Sequence, residues 1–388
     1  MSDTIRTTAE IRSLNKKKIL QYVTAHPEQT RKQIADGLDL SFATVSNLVA
    51  QLSEEDILRT ESSEQSHGGR IPGLITVNKD ACCTLCVDLA RKEKIGLSVV
   101  NLRGESIART ALQDLGGASY EEVLSICHRE SLALLDSVPL PLDRLIGVSV
   151  SVPGIIDLRD GVIVNSTYER LEGKPLRADL EALFSPLPCQ IGNEANLTAL
   201  GILQSVRESG MHSILFLYID EGLGIGVISD EKLLVGSHGF GGEISHWQFS
   251  DMRGYPCYCG KRGCLETELS KSGFIKKLNE NQGAQRAGSW EGFVSLVKGK
   301  DPAAIEVLQE NGQLIARLIS SLQMLLDPQA CWLGGGICEI FSEIRPFIKT
   351  YFDAYGQRFP AIPISCVSDS HMMAETGCAK LAFDRWMP

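Results

Sequence analysis

Four potential metal ligands lie within nineteen residues of this sequence, and they are His246, Cys257, Cys259 and Cys264. Three thiolates at about 2.3 Å and one imidazole at about 2.0–2.1 Å would complete the closed tetrahedral sphere that is typical of structural zinc. Two carboxylates, Glu243 and Glu266, bracket the cluster. The spacing therefore predicts a zinc ion that holds a loop beside a polar pocket and performs no chemistry itself.

Two other interpretations of the cluster remain open. The chain has twelve cysteines, so some of them must fall near one another by chance. A redox pair is the other alternative, but reactive dithiols usually have a Cys-x-x-Cys spacing, and Cys257-x-Cys259 is tighter. Gly260 and Gly263 supply the backbone freedom that a tight metal loop needs, which favours the metal site.

The same residues carry a resemblance to a known family. The runs Gly-x-Gly-Gly-Glu-x-x-His at residues 239–246 and Cys-x-Cys-Gly-x-x-Gly-Cys-Leu-Glu at residues 257–266 resemble the signature of the ROK family of repressors and sugar kinases. The resemblance implies that zinc is held by His246, Cys257, Cys259 and Cys264. It also implies that Glu243, His246 and Glu266 bind sugar hydroxyls. Ser245 stands where that family usually has glycine, so we expect a different fit of this loop against the ligand.

Composition limits the class of protein. The chain has 388 residues, 43% of them hydrophobic, and a mean hydropathy near zero, which predicts a soluble protein of two or three domains. No run approaches the roughly 18 uninterrupted apolar residues of a membrane span, and the polar start lacks a secretory signal, so we expect a cytoplasmic protein without a membrane partner. Reduced core thiols plus one metal loop explain the cysteines better than a disulfide framework. Cys82, Cys83 and Cys86 are expected in the core rather than in a second metal site.

Charge separates an amino-terminal module from the rest of the chain. The net charge is −10, but residues 1–79 contain ten Lys or Arg and ten Asp or Glu. All of the net negative charge therefore lies beyond residue 79. Such a body does not favour indiscriminate binding of nucleic acid over the whole surface.

The first eighty residues predict a helix-turn-helix. A helix over residues 16–25 ends at His26-Pro27, and a second opens on Thr30-Arg31-Lys32-Gln33, a capping-box pattern. Ser41 can cap a third helix, in which Val45, Leu48, Val49 and Leu52 form one apolar face.

The opposite face of the third helix offers small or hydrogen-bonding side chains that can enter a major groove, where Asn and Gln suit adenine. We predict that the DNA contacts from this segment come from Ser41, Thr44, Ser46, Asn47 and Gln51. This face has no basic residue, so phosphate contacts must come from elsewhere, among them Arg31, Lys32 and the lysines at 16–18. A small three-helix fold with a solvated polar face remains the simpler alternative.

Two short strands, residues 57–60 and 74–77, flank a polar loop and predict a wing. The loop is followed by Gly69-Arg70-Ile71-Pro72, an extended and cationic segment. Arg70 is therefore predicted to lie in an A·T-rich minor groove, where the negative potential is enhanced. ROK repressors have a similar segment between reading head and body.

Beyond residue 80, apolar strand-like runs alternate with amphipathic blocks, which predicts an α/β body. We expect strands at 84–89, 95–101, 145–152, 214–219 and 224–228, and helices at 120–135, 195–206, 270–279 and 303–326. The resemblance implies the actin-like sugar-kinase fold, with two lobes around a cleft. We place a winged helix-turn-helix domain and linker at 1–79, one lobe at 80–197 completed by 365–388, and the second lobe with the zinc loop at 198–364.

The chemistry of a sugar kinase is weakened at several positions. The family's first phosphate loop, Asp-x-Gly-Gly-Thr, reads Asp88-Leu-Ala90-Arg91-Lys92 here, where side chains crowd the backbone. The second loop, Gly-Thr-Gly-x-Gly, has lost its threonine at 222–226, whereas a glycine run at 334–336 persists.

The family's catalytic Asn-Asp pair corresponds to Asn193-Glu194, whose extra methylene displaces the base by more than about 1 Å, a misplacement that can cost about a hundredfold in rate. Glu194 thus keeps only a vestigial base position, and it serves as well as a helix-start carboxylate. The turn at 151–157 resembles the strand-end turn beside the sugar.

These observations predict a DNA-binding transcriptional regulator, a repressor of carbohydrate-metabolism genes, and not an enzyme. A sugar or sugar-phosphate effector is expected among Asn193, Glu194, Glu243, His246 and Glu266. Zinc would be coupled to this pocket through His246, which can bind metal through one ring nitrogen and ligand through the other. A homodimer or higher homo-oligomer is expected on a palindromic operator. The alternatives are an active sugar kinase with a DNA-binding head and a repressor controlled by a protein partner.

Overall fold

The computed structural model describes residues 7–61, 73–91, 93–138, 141–248, 254–257, 259–281, 285–355 and 361–386. Arg70, which was predicted to enter a minor groove, lies outside the described residues.

The amino-terminal module is a winged helix-turn-helix. Its elements are α1 (Thr8–Ala25), α2 (Arg31–Leu38), α3 (Phe42–Glu54) and the antiparallel strands β1 (Leu58–Glu61) and β2 (Leu74–Val77). The capping box at Thr30 and the cap at Ser41 are confirmed. The first helix was predicted to begin at Lys16 and instead begins at Thr8, because Thr7 and Glu10 form a further capping box that the sequence analysis missed.

The next part of the chain builds a mixed sheet. Its elements are β3 (Cys83–Asp88), β4 (Lys94–Asn101), β5 (Ser106–Arg109), β6 (Gln113–Asp114), α4 (Tyr120–Ser137), β7 (Leu145–Val152), β8 (Ile155–Asp157), β9 (Val162–Asn165), α5 (Leu176–Leu183), β10 (Cys189–Asn193) and α6 (Glu194–Val206). The strand order is β10-β7-β3-β4-β5, β6 pairs with β4, and β8 and β9 form a separate hairpin. The polar ends of β3, β7 and β10 meet at one edge, because these three strands are parallel.

The second sheet has the order β13-β12-β11-β14-β15. Its part of the chain contains β11 (Ile214–Ile219), β12 (Leu223–Ser229), β13 (Lys232–Leu233), α7 (Leu265–Leu269), α8 (Lys271–Asn281), α9 (Trp290–Lys298), α10 (Pro302–Leu326), β14 (Ala330–Gly334), α11 (Phe341–Tyr355), β15 (Ile364–Cys366) and α12 (Ser370–Arg385). The predicted strands and helices of the body are thus present, with ends shifted by one or two residues. No helix in the described ranges combines the length and apolarity that crossing a bilayer requires.

Helices α6 and α12 lie side by side between the two sheets. Their buried residues share one core with Cys86 and Val100 of the first sheet and with Phe216 and Ile228 of the second. The backbones approach closely, because a Cβ atom added at Gly377 of α12 would lie 1.8 Å from a main-chain oxygen of α6. The helix pair therefore links both lobes.

The cysteines follow the prediction with one difference. Cys82, Cys83 and Cys86 are buried in the core, as expected. Cys338 and Cys366, however, form a disulfide, with their Cα atoms 5.8 Å apart. No local pattern in the sequence predicts this bond, because the two residues come together only when β15 pairs beside β14.

Candidate functional site

A cavity of about 290 Å³ lies between the two lobes. The residues that line it include some from the turn between β7 and β8, the start of α6, the turn between β11 and β12, and the segment before the cysteine loop. Among the residues predicted to bind a ligand, those that line it are Asn193, Glu194, Glu243 and Glu266. His246 is not among the residues that line the cavity in the described parts of the chain, and the neighbouring Ser245 takes that place.

Asn193 fixes the junction of strand and helix at the cavity. Its Oδ1 accepts hydrogen bonds from the amides of Ala195 and Asn196 at 2.9 and 3.4 Å, so it caps α6. Its Nδ2 donates to the carbonyl oxygen of Gly154 at 2.8 Å. Gly154 has φ +103°, and a Cβ there would meet the carbonyl oxygen of Asn165 at 2.1 Å, so the turn requires glycine. Both side-chain atoms of Asn193 thus hold the cavity wall.

Glu194 is the first residue of α6 and turns its carboxylate into the space between the lobes. Its Oε2 is buried and has no hydrogen-bond partner in the described parts of the chain. Burial, with a smaller contribution from the negative charges of Asp88 and Asp220, raises the pKa of Glu194 well above its usual range. A buried carboxyl oxygen without a partner is costly, so this position is suited to a ligand that carries hydroxyl groups.

Glu243 and Glu266 face the cavity from the second lobe. Burial, followed by repulsion from Glu266, raises the pKa of Glu243 to about 7. Burial also raises the pKa of Glu266, although a hydrogen bond from the amide of Leu223 opposes the shift. Two half-buried carboxyl groups on one side of a cavity can accept and donate hydrogen bonds to sugar hydroxyls.

The cationic groups beside the cavity are paired with aspartates. The Nε atom of Arg91 and the Nδ1 atom of His371 each lie 2.9 Å from Oδ2 of Asp88. Burial alone would raise the pKa of Asp88, but these partners and the amide of Ala90 outweigh burial and lower it. Asp88 and Arg91, which form one of these pairs, both belong to the segment that corresponds to the first phosphate loop.

On the opposite wall, Asp220 pairs with a basic side chain as Asp88 does. Its Oδ1 lies 2.8 Å from Nζ of Lys271, and its Oδ2 accepts a hydrogen bond from the amide of Gly336 at 2.7 Å. Gly224 and Gly226, from the segment matched to the second phosphate loop, lie in β12 instead. A Cβ at Gly226 would come within 2.4 Å of α6, so this glycine serves the packing of the strand against the helix.

The four predicted metal ligands converge. Their ligand atoms all lie within 4.8 Å of one another. Nδ1 of His246 is 3.5 Å from Sγ of Cys257, and Sγ of Cys259 is 3.7 Å from Sγ of Cys264. Gly260 and Gly263 both have positive φ, which supports the argument from backbone freedom. The cluster can hold a metal.

The metal cluster and the cavity share a short piece of chain. Cys264 immediately precedes α7, whose second residue is Glu266. On the other side, Glu243 precedes the helical turn Ile244–His246. The amide of Leu265 donates to the carbonyl oxygen of Trp247 at 2.9 Å and ties the two segments together. The two cavity carboxylates are therefore carried by the same joined segments as the metal cluster.

The third helix of the head has the predicted two faces. Val45, Leu48, Val49 and Leu52 are buried. Asn47 is exposed on the opposite face, and Thr44, Ser46 and Gln51 are partly exposed beside it. Ser41 caps the helix, and its hydroxyl also lies 2.8 Å from that of Thr44.

The basic residues differ in their availability for DNA. Lys32 is exposed, and Arg31 is partly exposed at the start of α2. Lys16 instead pairs with Glu55 at 2.6 Å, and Lys17 donates a hydrogen bond to the carbonyl oxygen of Asp384 at the end of α12. Lys17 thus joins the head to the body.

Sequence reasoning missed several residues of the site. Asp220 directly follows β11 and Lys271 is the first residue of α8, and polar residues at such element ends could have been noticed. Nothing local identifies His371 or Tyr168, which reach the cavity from distant parts of the chain. Arg12 was also missed, and its Nε donates to Oε1 of Gln51 on the reading face at 3.2 Å.

Comparison with known families assigns both parts of the chain. Residues 84–384 match the model of the ROK family, and residues 12–59 match that of the winged helix-turn-helix DNA-binding domain. The chain is 28% identical over 364 residues to the xylose repressor of Caldicellulosiruptor bescii, a match that covers 88% of this chain and 90% of that protein.

Solved structures give the same fold. A ROK family transcriptional regulator, described as a homologue of the Escherichia coli MLC protein, superposes with a TM-score of 0.79 at 19% identity and covers 96% of this chain and 97% of that one. The ROK hexokinase of Thermus thermophilus superposes with a TM-score of 0.66 at 21% identity. It covers 77% of this chain and 98% of its own.

Proposed function

Because this chain belongs to the ROK family and has an amino-terminal winged helix-turn-helix domain, we propose that it is a transcriptional repressor of carbohydrate-metabolism genes whose body binds a sugar or sugar-phosphate effector. Asn47, Ser46 and Thr44 read base edges in a major groove, with Ser41 and Gln51 at the margins of that face. Lys32 and Arg31 contact phosphates, and Arg70 contacts the minor groove. A DNA-binding regulator of this kind works in the cytoplasm.

The observation that carries the effector proposal is Glu194, which lines the cavity between the lobes and whose buried Oε2 atom has no hydrogen-bond partner among the described residues. Sugar hydroxyls are donors and acceptors, so a bound sugar can satisfy the carboxyl groups of Glu194, Glu243 and Glu266. Similarity to a protein named xylose repressor supports a pentose or hexose as the effector.

We further propose that the body is not a kinase. A kinase needs free amides for phosphate groups, and two candidate amides here are bonded within the protein: that of Ala90 to Asp88 at 3.0 Å, and that of Gly336 to Asp220 at 2.7 Å. The side chain of Arg91 also fills the first phosphate segment. These contacts support a sensor that has kept the sugar side of the cleft and lost the nucleotide side.

Structural zinc is proposed at His246, Cys257, Cys259 and Cys264. Metal–sulfur and metal–nitrogen distances of about 2.3 and 2.0 Å at tetrahedral angles place two sulfurs about 3.8 Å apart, and sulfur and nitrogen about 3.5 Å apart. The observed distances of 3.7 and 3.5 Å fit this geometry. A bound ion would order the segments that carry Glu243 and Glu266.

A structural change caused by sugar binding in the cavity is transmitted to the winged helix-turn-helix domain through α6 and α12. Glu194 starts α6 at the cavity, and His371 lies in the first turn of α12. At the other end of α12, Phe383 and Trp386 pack against the core of the head, next to the bond between Lys17 and Asp384. A sugar that moves one lobe relative to the other therefore moves this helix pair and the head with it. In a homodimer, such a movement changes the spacing of two reading heads.

The decisive experiment begins with selection of bound sequences from a random DNA library by the purified zinc-loaded protein. Operator affinity is then titrated with and without D-xylose, D-glucose and N-acetyl-D-glucosamine, and ADP release is followed with ATP and Mg²⁺ present. We expect specific DNA binding that at least one sugar weakens, without ADP release. Sugar-dependent ADP release would overturn the assignment as a non-enzyme, and operator affinity unaffected by any bound sugar would favour control by a protein partner.

A further inference from the structure

The walls of the sugar cavity are rich in carboxylates. Five of them line it, against two side chains that carry a permanent positive charge, Arg91 and Lys271. Among the described residues, no basic side chain lies within ion-pair distance of Glu194, Glu243 or Glu266. The cavity therefore has an excess of groups that accept hydrogen bonds or carry negative charge.

The cationic groups near the cavity are already engaged. Asp88 binds both Arg91 and His371 through the same oxygen, each at 2.9 Å. Lys271 is bound by Asp220 at 2.8 Å. These pairs are largely shielded from solvent, since the side chain of Asp88 is 3% exposed and those of Lys271 and Asp220 are each 19% exposed. A ligand phosphate would therefore share Arg91 and Lys271 with aspartates that already neutralise them.

Main-chain donors at the cavity are engaged in the same way. The start of a helix commonly binds phosphate through its free amides. Here Oδ1 of Asn193 accepts from the first amides of α6, and Asp220 accepts from the amide of Gly336. The hydroxyl of Ser370 accepts from the amide of Gly335 at 3.3 Å. The protein's own side chains therefore occupy these four amides at and beside the cavity.

We propose that this cavity selects an uncharged sugar and excludes its phosphate esters, with Asp88 and Asp220 as the residues that determine this specificity. The proposal rests on the proposed function, which leaves both classes of effector open. A neutral sugar meets carboxyl groups that have no cationic partner among the described residues and that match its hydroxyls. A phosphate dianion meets five carboxylates, and the two cations beside them are already paired with aspartates.

Isothermal titration of the full-length zinc-loaded protein tests the selection. The probes are D-glucose, N-acetyl-D-glucosamine and D-xylose, and the matched 6-phosphates of the two hexoses. We expect at least one neutral sugar to bind, and its phosphate or any other phosphate probe to bind at least about 100-fold more weakly. Binding of a phosphate ester as tightly as the best neutral sugar would overturn the proposal. If that ester also released operator DNA, the proposed function would stand while the selectivity failed.

The variant Asp88→Asn separates charge from shape. It keeps the size of the side chain but frees Arg91 and His371, so we expect the discrimination against the phosphate ester to fall by at least about tenfold. The matched control is Asp353→Asn, which removes one carboxylate from an exposed pair with Lys349 on α11 and should leave the discrimination unchanged. An unchanged ratio of neutral-sugar affinity to phosphate-ester affinity in correctly folded Asp88→Asn protein, or an equal change in both variants, would contradict the role of Asp88.

Failure of every sugar, neutral or phosphorylated, to bind would overturn both this proposal and the sugar-effector part of the proposed function.

Discussion

The contact between α6 and α12 predicts that Gly377→Ala destabilises the protein. An added Cβ would lie 1.8 Å from the carbonyl oxygen of Leu197. The geometry is reciprocal, since a Cβ at Gly201 of α6 would lie 1.9 Å from the carbonyl oxygen of Met373 in α12. Main-chain atoms of a helix cannot rotate away as a flexible side chain can, so the two helices must separate.

The magnitude follows from two opposing terms. Alanine is favoured over glycine inside a helix by about 1 kcal/mol. Overpacking in a close-packed interior costs about 1–3 kcal/mol and occasionally more, and a required shift of more than about 1 Å places this site at the upper end. Gly292 in α9 is the matched control, because its nearest neighbour would be 3.6 Å from the new Cβ. Gly292→Ala should therefore gain the helix-propensity contribution without the cost of overpacking.

We expect the two variants to differ by about 3 kcal/mol. At about 2.1 cal/mol/K of unfolding entropy per residue, this difference corresponds to roughly 4 °C in Tm for a chain of 388 residues. Differential scanning calorimetry at fixed zinc and protein concentration measures it. Equal midpoints for both variants, or a higher midpoint for Gly377→Ala, would refute the reasoning from helix contact.

Three further predictions concern the cavity, the metal and the DNA. The pKa of Glu194 is raised in the folded protein, so the stability linked to its proton is present below the ordinary carboxyl pKa and is lost as pH rises through the folded pKa. Relative to the parent protein, Glu194→Gln should therefore be increasingly stable from about pH 4 upward, by about 1.4 kcal/mol for each pH unit until the folded pKa is passed. Denaturant titrations that show no pH-dependent difference between the two proteins would contradict this. Cys257→Ser should reduce zinc content from about one ion per chain to none by mass spectrometry, whereas Cys331→Ser, a change at a buried core thiol, should retain it. Asn47→Ala should weaken operator binding about 10- to 100-fold with little change on non-specific DNA, and an equal loss on both DNAs in gel-shift titrations would remove Asn47 from base recognition.

Local patterns allowed much of the fold to be predicted. The helices of the head follow from capping residues and from apolar residues three and four apart, both of which are short-range signals. The cysteine and histidine cluster was visible because its four ligands lie within one short stretch. Gly224 and Gly226 show the limit of a motif, since their spacing fits a phosphate loop while the packing of β12 against α6 accounts for them.

The charge state of the cavity could not be predicted in this way. Asp88 and His371 are far apart in the chain, and only the placement of α12 beside β3 brings them within 2.9 Å. Asp220 and Gly336 meet because β14 pairs in parallel with β11. Asp88 and Asp220 are thus partners of the protein's own donors, whereas the Oε2 atom of Glu194 has no hydrogen-bond partner among the described residues.

The helix pair also determines how stability and regulation are related. If α6 and α12 move as one body, Gly377→Ala should lower the effect of the sugar on operator affinity by a larger factor than it lowers sugar affinity itself, because the cavity ends of both helices keep their own caps. A signal carried only through the zinc loop would leave that effect unchanged, since the loop contacts the cavity from the other lobe. Sugar affinity and operator affinity measured on the same variant therefore distinguish a path through the helices from one through the metal.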